Sequence, residues 1–247
     1  MNLSDNKINF SDLLPPAGAS SLLQQLIQLG SHTKNVPNNR LCLDKDKDLN
    51  ELRSQWQELS TTQSDYTYSA ELIIDSERLV TDWLIKLFNT SFANQQVILA
   101  RSNDEPEYFP AQDNEPARIE FAHGFFASAL HEISHWCVAG DARRQLSDFG
   151  YWYAPDGRSA AQQQAFERVE IKPQALECLF TLACGRNFQV SQDNLFADFD
   201  TSSSTFAIDV YQQVHSYIAK PDTLPRDAKT LLTALLSACT SSSEISA

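Results

Sequence analysis

His131-Glu132-Ile133-Ser134-His135 matches the pattern H-E-x-x-H. In a helix the two histidines stand one turn apart and point the same way. Two imidazoles on one face can hold a divalent metal, and the glutamate between them can serve as a general base toward a metal-activated water. Three of the five histidines of the chain fall between 123 and 135. The flanks Phe125, Phe126, Ala127, Leu130, Ile133, Trp136 and Val138 are apolar nearly all round, which predicts a buried helix. Two imidazoles and a carboxylate in such a place carry a heavy desolvation cost without partners, and one metal would satisfy all three.

A catalytic metal needs a third protein ligand and open positions. The metzincin continuation would put Gly at 138 and His at 141, but the chain has Val138 and Asp141, so that subclass is excluded. Cys137 follows His135 by two residues and faces elsewhere on a helix. The remaining candidates are carboxylates: Asp148, Asp156, Glu167, Glu170 and Glu177. Glu170 precedes Pro173, a residue suited to a helix's first turn, where the dipole favours negative charge. Spacing alone does not choose among the five. With zinc, the set describes a metallohydrolase or peptidase of zincin type, with Glu132 as base. With Fe(II), two histidines and a carboxylate leave positions for O2 and substrate. A metal-stabilised binding module without turnover is a third reading, from another class.

The elements that must carry these residues can be read from periodicity. Val80, Trp83, Leu84, Leu87 and Phe88 predict a helix over 78–92. Val97 to Ala100 is a short buried strand, 102–116 a loop or hairpin, and Arg118 to Phe121 a strand leading to the central helix. Gly124 breaks that strand and Gly140 stops the helix. Tyr151-Trp152-Tyr153 reads as an aromatic strand, with core packing as its plainest role, and Pro155-Asp156-Gly157 as a tight turn. Ser159 to Arg168 is helical. A second helix starts at Pro173 with the stripe Ala175, Leu176, Leu179, Phe180 and Ala183, and closes at Gly185. Residues 189–204 are loop. Phe206 to Ile218 is a helix, and Leu231 to Leu236 belong to a last one.

Residues 1–75 form a polar N-terminal extension, either mobile or a packing arm. Residues 76–225 form the catalytic domain, and 226–247 a C-terminal helix with a Ser-rich tail. The expected fold is α+β: a helix-rich single domain with a small sheet around a buried, zincin-like H-E-x-x-H helix. Hydrophobic residues make up 42% of the chain, enough for a sizeable core. A net charge of −13 disfavours nucleic acid, which needs Lys and Arg against phosphate, and suits a cationic substrate. The odd number of cysteines, five, with no C-x-x-C points to free thiols in a reducing compartment. No apolar run reaches ~18 residues and the N-terminus carries no apolar leader segment, so the expectation is a soluble cytoplasmic protein without a membrane partner.

Longer stretches carry more. The run from Phe121 to Gly140 is followed by Ala142-Arg-Arg, Asp148-Phe-Gly-Tyr-Trp-Tyr and Pro155-Asp-Gly-Arg158. After these come Val169-Glu-Ile-Lys-Pro-Gln-Ala-Leu176 and Phe188-Gln-Val-Ser-Gln-Asp-Asn-Leu195. Together these resemble the elongation factor P hydroxylase family over about residues 78–225. The resemblance implies a non-haem, metal-dependent hydroxylase. Its substrate would be a lysine of elongation factor P that already carries a β-lysyl group. It also implies Fe(II) with O2 as co-substrate, and His131, His135 and Glu170 as metal ligands. No 2-oxoglutarate motif is present: no H-x-D with a distal His and Arg. Glu132 is then a base or a group that orients the ligands. His123, about two turns before His131 at the helix start, becomes a capping group or a hydrogen-bond donor to the ligands. Asp148, Tyr151, Tyr153, Asp156 and Arg158 would line the entrance for a long cationic arm. Hydroxylation follows from the resemblance alone.

Overall fold

The computed structural model describes residues 8–32, 47–62, 70–151, 157–192 and 204–240. Its centre is helix α4, Phe126–Arg143, the one that holds the H-E-x-x-H residues. Three helices and a small sheet pack against it. Helix α5 (Ala160–Ala183) runs alongside, and helices α3 (Ala70–Ser91) and α7 (Arg226–Cys239) close further sides. A small sheet leads into its N-terminus. Helices α1 (Pro16–His32) and α2 (Lys47–Thr62) pack on α7 and α3, and α6 (Phe206–Ala219) packs on α5. The helix-rich α+β expectation holds.

The sheet has three strands among the described residues, ordered β1 (Val97–Arg101), β3 (Ala117–Phe121) and β2 (Glu107–Phe109). β1 runs parallel to β3 and β2 antiparallel to it, with Leu99 and Tyr108 both registered on Ile119. Alternation decides which face is covered. Ala117, Ile119 and Phe121 are buried, while Arg118 and Glu120 point outward and pair at 2.9 Å. The segment expected to be loop or hairpin thus contributes the edge strand β2.

Trp136 on α4 meets Phe88 and Phe92 edge to face, with centroids at 5.5 and 5.0 Å, an arrangement aromatic rings prefer. The apolar stripe that predicted a helix over 78–92 belongs to α3, which begins earlier, at Ala70. Ile74 and Leu79 are exposed, so periodicity marked only the packed part that begins at Val80. Gly140 adopts φ 70° and ψ 171°, a conformation that breaks the helix as glycine allows. Asp141 to Arg143 add one further turn beyond the break.

Two expected boundaries need correction. Pro173 does not open a helix: α5 is continuous from Ala160 to Ala183, with Pro173 inside it. A proline there removes one helical hydrogen bond and crowds the preceding turn, a cost of roughly 3 kcal/mol. Burial of Ala175, Leu176, Leu179 and Phe180, each 0% exposed, offsets it. The helix start is set instead by Ser159, whose hydroxyl and the side chain of Gln162 form a capping box. Second, Tyr151 lies in irregular backbone rather than a strand, half in solvent, with the Arg143 guanidinium 4.3 Å over its ring. Trp152 to Asp156 lie outside the described residues.

The polar stretch 1–75 contains α1 and α2. Leu22, Leu26, Leu52 and Trp56 enter the same apolar cluster as Trp83, Phe126 and Leu235. Trp56 packs on Trp83 at 4.5 Å, and the Trp83 indole N–H donates to the Leu52 carbonyl at 2.9 Å. Leu49, Leu52, Trp56 and Leu59, spaced three, four and three apart, form the face that α2 turns inward. The Ser-rich end beyond residue 240 falls outside the described residues. No described helix is long and apolar enough to cross a membrane.

Candidate metal centre

The two faces that meet at the site come from α4 and α5. His131 and His135 stand one turn apart on α4; Glu170 and Glu177 stand two turns apart on the facing side of α5. The Nε2 atoms of the histidines approach to 3.1 Å. Glu170 reaches in from α5, with Oε1 3.2 Å from His135 Nε2 and Oε2 3.8 Å from His131 Nε2. One donor atom from each of the three residues lies within 4.8 Å of the others.

These separations fit a single ion. Two donors each ~2.1 Å from one metal, at angles between octahedral and tetrahedral, sit roughly 3.0–3.4 Å apart. The histidine–histidine separation and that from His135 to Glu170 Oε1 fall in that range, and the other carboxylate oxygen, Oε2, lies 3.8 Å from His131. Without an ion, two nitrogen lone pairs and a carboxylate converge on one point, an arrangement that demands either a cation or bound protons. Glu170 is nearly inaccessible, at 3% side-chain exposure, whereas His131 and His135 keep 29% and 20%, so the point can be reached from one side.

The electrostatics agree. Burial opposes a charged His131, but the hydrogen bond and charge of Glu177, with the charges of Glu170 and Glu132, outweigh it and push the imidazole up to about 10. Burial likewise works against a charged Glu170, yet His135 and His131 hold its carboxyl down at about 2. Glu132 is pushed up, first by burial and then by the charges of Glu170 and Asp148, while the two histidines oppose. The buried thiols of Cys137 and Cys178 are pushed far above their usual range by burial, so neither offers a thiolate. All four described cysteines are free.

Neighbouring side chains fix the ligand-bearing groups. Glu177 Oε2 lies 2.8 Å from His131 Nδ1, on the ring edge away from Glu170. Gln174, buried, donates to the Ser191 carbonyl at 2.7 Å and, more weakly, to Glu170 Oε2 at 3.4 Å. The Ser191 N–H donates back to Gln174 Oε1 at 3.1 Å, so the chain after Phe188 is tied to the turn that carries Glu170.

The α4 N-terminus has an unusual cap. Its N-cap residue is Phe125, which cannot accept a hydrogen bond through its side chain. Glu77 of α3 takes that role, its Oε1 accepting the Phe126 N–H at 2.9 Å while Oε2 pairs with Arg186 at 2.8 Å. A carboxylate there suits the helix dipole. Glu77→Ala is expected to cost about 1–2 kcal/mol in urea unfolding, since it removes a cap and strands Arg186. Glu77→Gln, which keeps the acceptor, should lose less than half of that.

The remaining residues singled out by sequence are dispersed. Glu170 sits mid-helix, not at a positive helix end, because α5 runs through Pro173. Glu167 is engaged elsewhere: its oxygens accept from Gln163 at 3.2 Å and Ser204 at 3.0 Å. His123 precedes α4 instead of starting it. It sits in a left-handed turn at φ 56°, exposed, with its ring 6.2 Å from Phe125, because the Phe121–Gly124 turn must redirect the chain from β3 into the helix. Asp148 adopts φ 48°, and its Oδ1 accepts the Tyr108 N–H at 2.9 Å, which anchors the turn after α4 to strand β2. Arg158 is not at a rim: it is 2% exposed, stacked 3.9 Å over Phe166 and bonded to Gln163 at 3.0 Å. Tyr153 and Asp156 fall outside the described residues. Sequence reasoning missed Glu77, which lies in no quoted stretch, and Gln174, which lies in the stretch Val169 to Leu176 but was given no role there.

Comparison with known proteins adds two findings. A family model described as elongation factor P hydroxylase matches residues 87–246. The elongation factor P lysine hydroxylase of Haemophilus influenzae is 48% identical over 155 residues, 62% of this chain and 85% of that protein. The matched region contains α4 and α5 whole.

Proposed function

The chain belongs to the elongation factor P hydroxylase family, and from that premise we propose that it hydroxylates a lysine of elongation factor P already extended by a β-lysyl group. His131, His135 and Glu170 would hold Fe(II), and O2 would be the oxidant. The observation that carries the reading is the convergence of those three donors within 4.8 Å, between two helices of the region shared with the family. Two histidines and one carboxylate are the ligand set of non-haem Fe(II) oxygenases, and such a metal supplies the positions at which O2 and substrate meet. The zinc hydrolase reading is not carried forward, because the family is one of hydroxylases.

The chain's own residues have definable tasks. Glu170, shielded from water, neutralises part of the metal's charge in a low-dielectric setting. Glu132, on the helix face beside the histidines and raised by burial, can hold a proton next to the reacting carbon. The charge of Asp148 reaches Glu132 and helps raise it, so Asp148 would offer an ammonium arm negative potential on this side of α4. Tyr151, half-exposed beside Arg143, stands at the border of the same region.

The direct test is mass spectrometry of β-lysylated elongation factor P after incubation with the Fe(II)-loaded protein, a reductant and 18O2. A gain of one heavy oxygen is expected. No gain, or an oxygen that comes from water, would overturn the proposal. A second expected result concerns pH. His131 is protonated in the metal-free protein at neutral pH, so metal uptake must displace a proton. Apparent affinity for Co(II), read by chelator competition, should rise about tenfold per pH unit from about pH 6.5 to 8.5. The sign follows from the raised value: the metal-free charge pairing is complete below the unfolded histidine value and is lost as pH rises through about 10.

A further inference from the structure

We infer that Glu177 is a positioning residue that sets the tautomer and orientation of His131, and is not itself a metal ligand. The inference rests on the metal-binding reading above. The Glu177 carboxylate lies 2.8 Å from His131 Nδ1, while Nε2, on the other edge of the ring, faces His135 and Glu170. An ionised carboxylate only accepts, so Nδ1 must carry the hydrogen that bridges to Glu177. The lone pair of a neutral imidazole is then left on Nε2, aimed at the point where the donors of His135 and Glu170 meet. The opposite tautomer would present an N–H to the metal and could not bind. The partner charge also makes Nε2 a better donor, as carboxylate–histidine pairs do around bound metals.

The fold makes this geometry rigid. Glu177 has only 12% side-chain exposure and sits between Leu176 and Cys178, both 0% exposed. It stands two turns after Glu170 on the same helix, so α5 supplies one carboxylate to the metal point and a second to the ring behind it. The turn between them contains Pro173 and Gln174, and Gln174 bonds to Glu170 and to the backbone at Ser191. Glu170 and His131 are thus each held by a further residue of α5.

The test is Co(II) titration of the full chain by chelator competition, with the visible ligand-field spectrum of the loaded protein and the melting temperature of the metal-free protein recorded in parallel. Glu177→Ala should weaken Co(II) binding by about 10- to 100-fold and alter the spectrum. Glu177→Gln, which retains an oxygen able to accept the Nδ1 hydrogen, should recover most of the affinity. Wild-type affinity in Glu177→Ala, or a lowered melting temperature with unchanged affinity, would overturn the role and leave only a helix–helix contact. Loss of binding in both variants as complete as in Glu170→Ala would make Glu177 a ligand, which also overturns it. His135→Ala serves as the control: if it too binds like wild type, the metal reading has failed and not the assignment of Glu177.

Discussion

His135→Ala is expected to abolish the gain of oxygen on elongation factor P while leaving the protein folded. His135 Nε2 is the donor nearest to both others, 3.1 Å from His131 Nε2 and 3.2 Å from Glu170 Oε1. Removing it leaves two protein donors where a catalytic metal needs three. Four-ligand metal sites bind with about 10–16 kcal/mol, so one ligand is worth roughly 3 kcal/mol, or a hundredfold and more in occupancy. Any ion still bound would have lost the constraint that orients O2 and substrate, and the rate should fall below detection. The structural cost is small by comparison. The side chain keeps 20% exposure, and its truncation relieves the crowding of two imidazoles in the metal-free state. Unfolding free energy without metal should therefore stay within ~1 kcal/mol of wild type. Metal analysis and substrate mass on the same preparation check the claim. Wild-type oxygen transfer in this variant would sink the assignment of the site.

How far the sequence reveals such a site depends on how local each feature is. The pair His131 and His135 is legible because a helix turns every 3.6 residues, so a spacing of four fixes their mutual direction without tertiary information. The core face of α3 was legible for the same reason, and strands β1 and β3 from their short apolar or alternating runs, whereas β2 fell in a stretch expected to be loop or hairpin. Glu170 was not reachable by spacing, since five carboxylates competed and only the packing of α5 on α4 separates them. Glu170 emerged from the resemblance, and the structure sets its oxygens beside both histidines. Pro173 misled because its local cost argues for a helix start, whereas a run of fully buried residues beyond it makes the continuous helix affordable. Arg158 misled in the opposite way: a charged residue beside a turn reads as surface, but stacking on Phe166 and bonds to Gln163 and to the Gln192 carbonyl satisfy it inside. His123 failed because a left-handed residue before a helix leaves no sequence mark unless it is glycine. Glu77 and Gln174 were invisible because their partners lie on other elements, 49 and 17 positions away.

Asp227→Ala should cost about 3–5 kcal/mol of stability. Asp227 is 3% exposed in the first turn of α7, and its carboxylate serves three partners. Arg144 Nη1 lies 2.7 Å from Oδ2, the Gln95 amide donates to Oδ1 at 2.9 Å, and Arg226 reaches both oxygens at 3.1 and 3.2 Å. Arg144 in turn donates twice to the Trp136 carbonyl and covers the Trp136 ring at 3.6 Å. Tyr108 of β2 donates to the Arg144 carbonyl at 2.9 Å. The ion pair therefore fastens the far end of the helix that carries His131 and His135 to both α7 and the sheet. Removing the carboxylate leaves a guanidinium with 10% side-chain exposure unpaired, and an uncompensated buried charge costs far more than the intact pair contributes. That asymmetry gives a sharper test than the single variant. Replacing both partners by leucine should recover most of the loss, because a well-packed apolar pair has no stranded charge. The pH profile gives a third check. Burial works to raise the Asp227 carboxyl, but Arg226, Gln95 and Arg144 together hold it below its usual range. Its contribution is then present above the ordinary aspartate value and is lost as pH falls from there through the lowered folded value. Asp227→Asn should flatten that acid limb in urea unfolding measured at stepped pH. An unchanged acid limb would mean that the pair contributes nothing to folding.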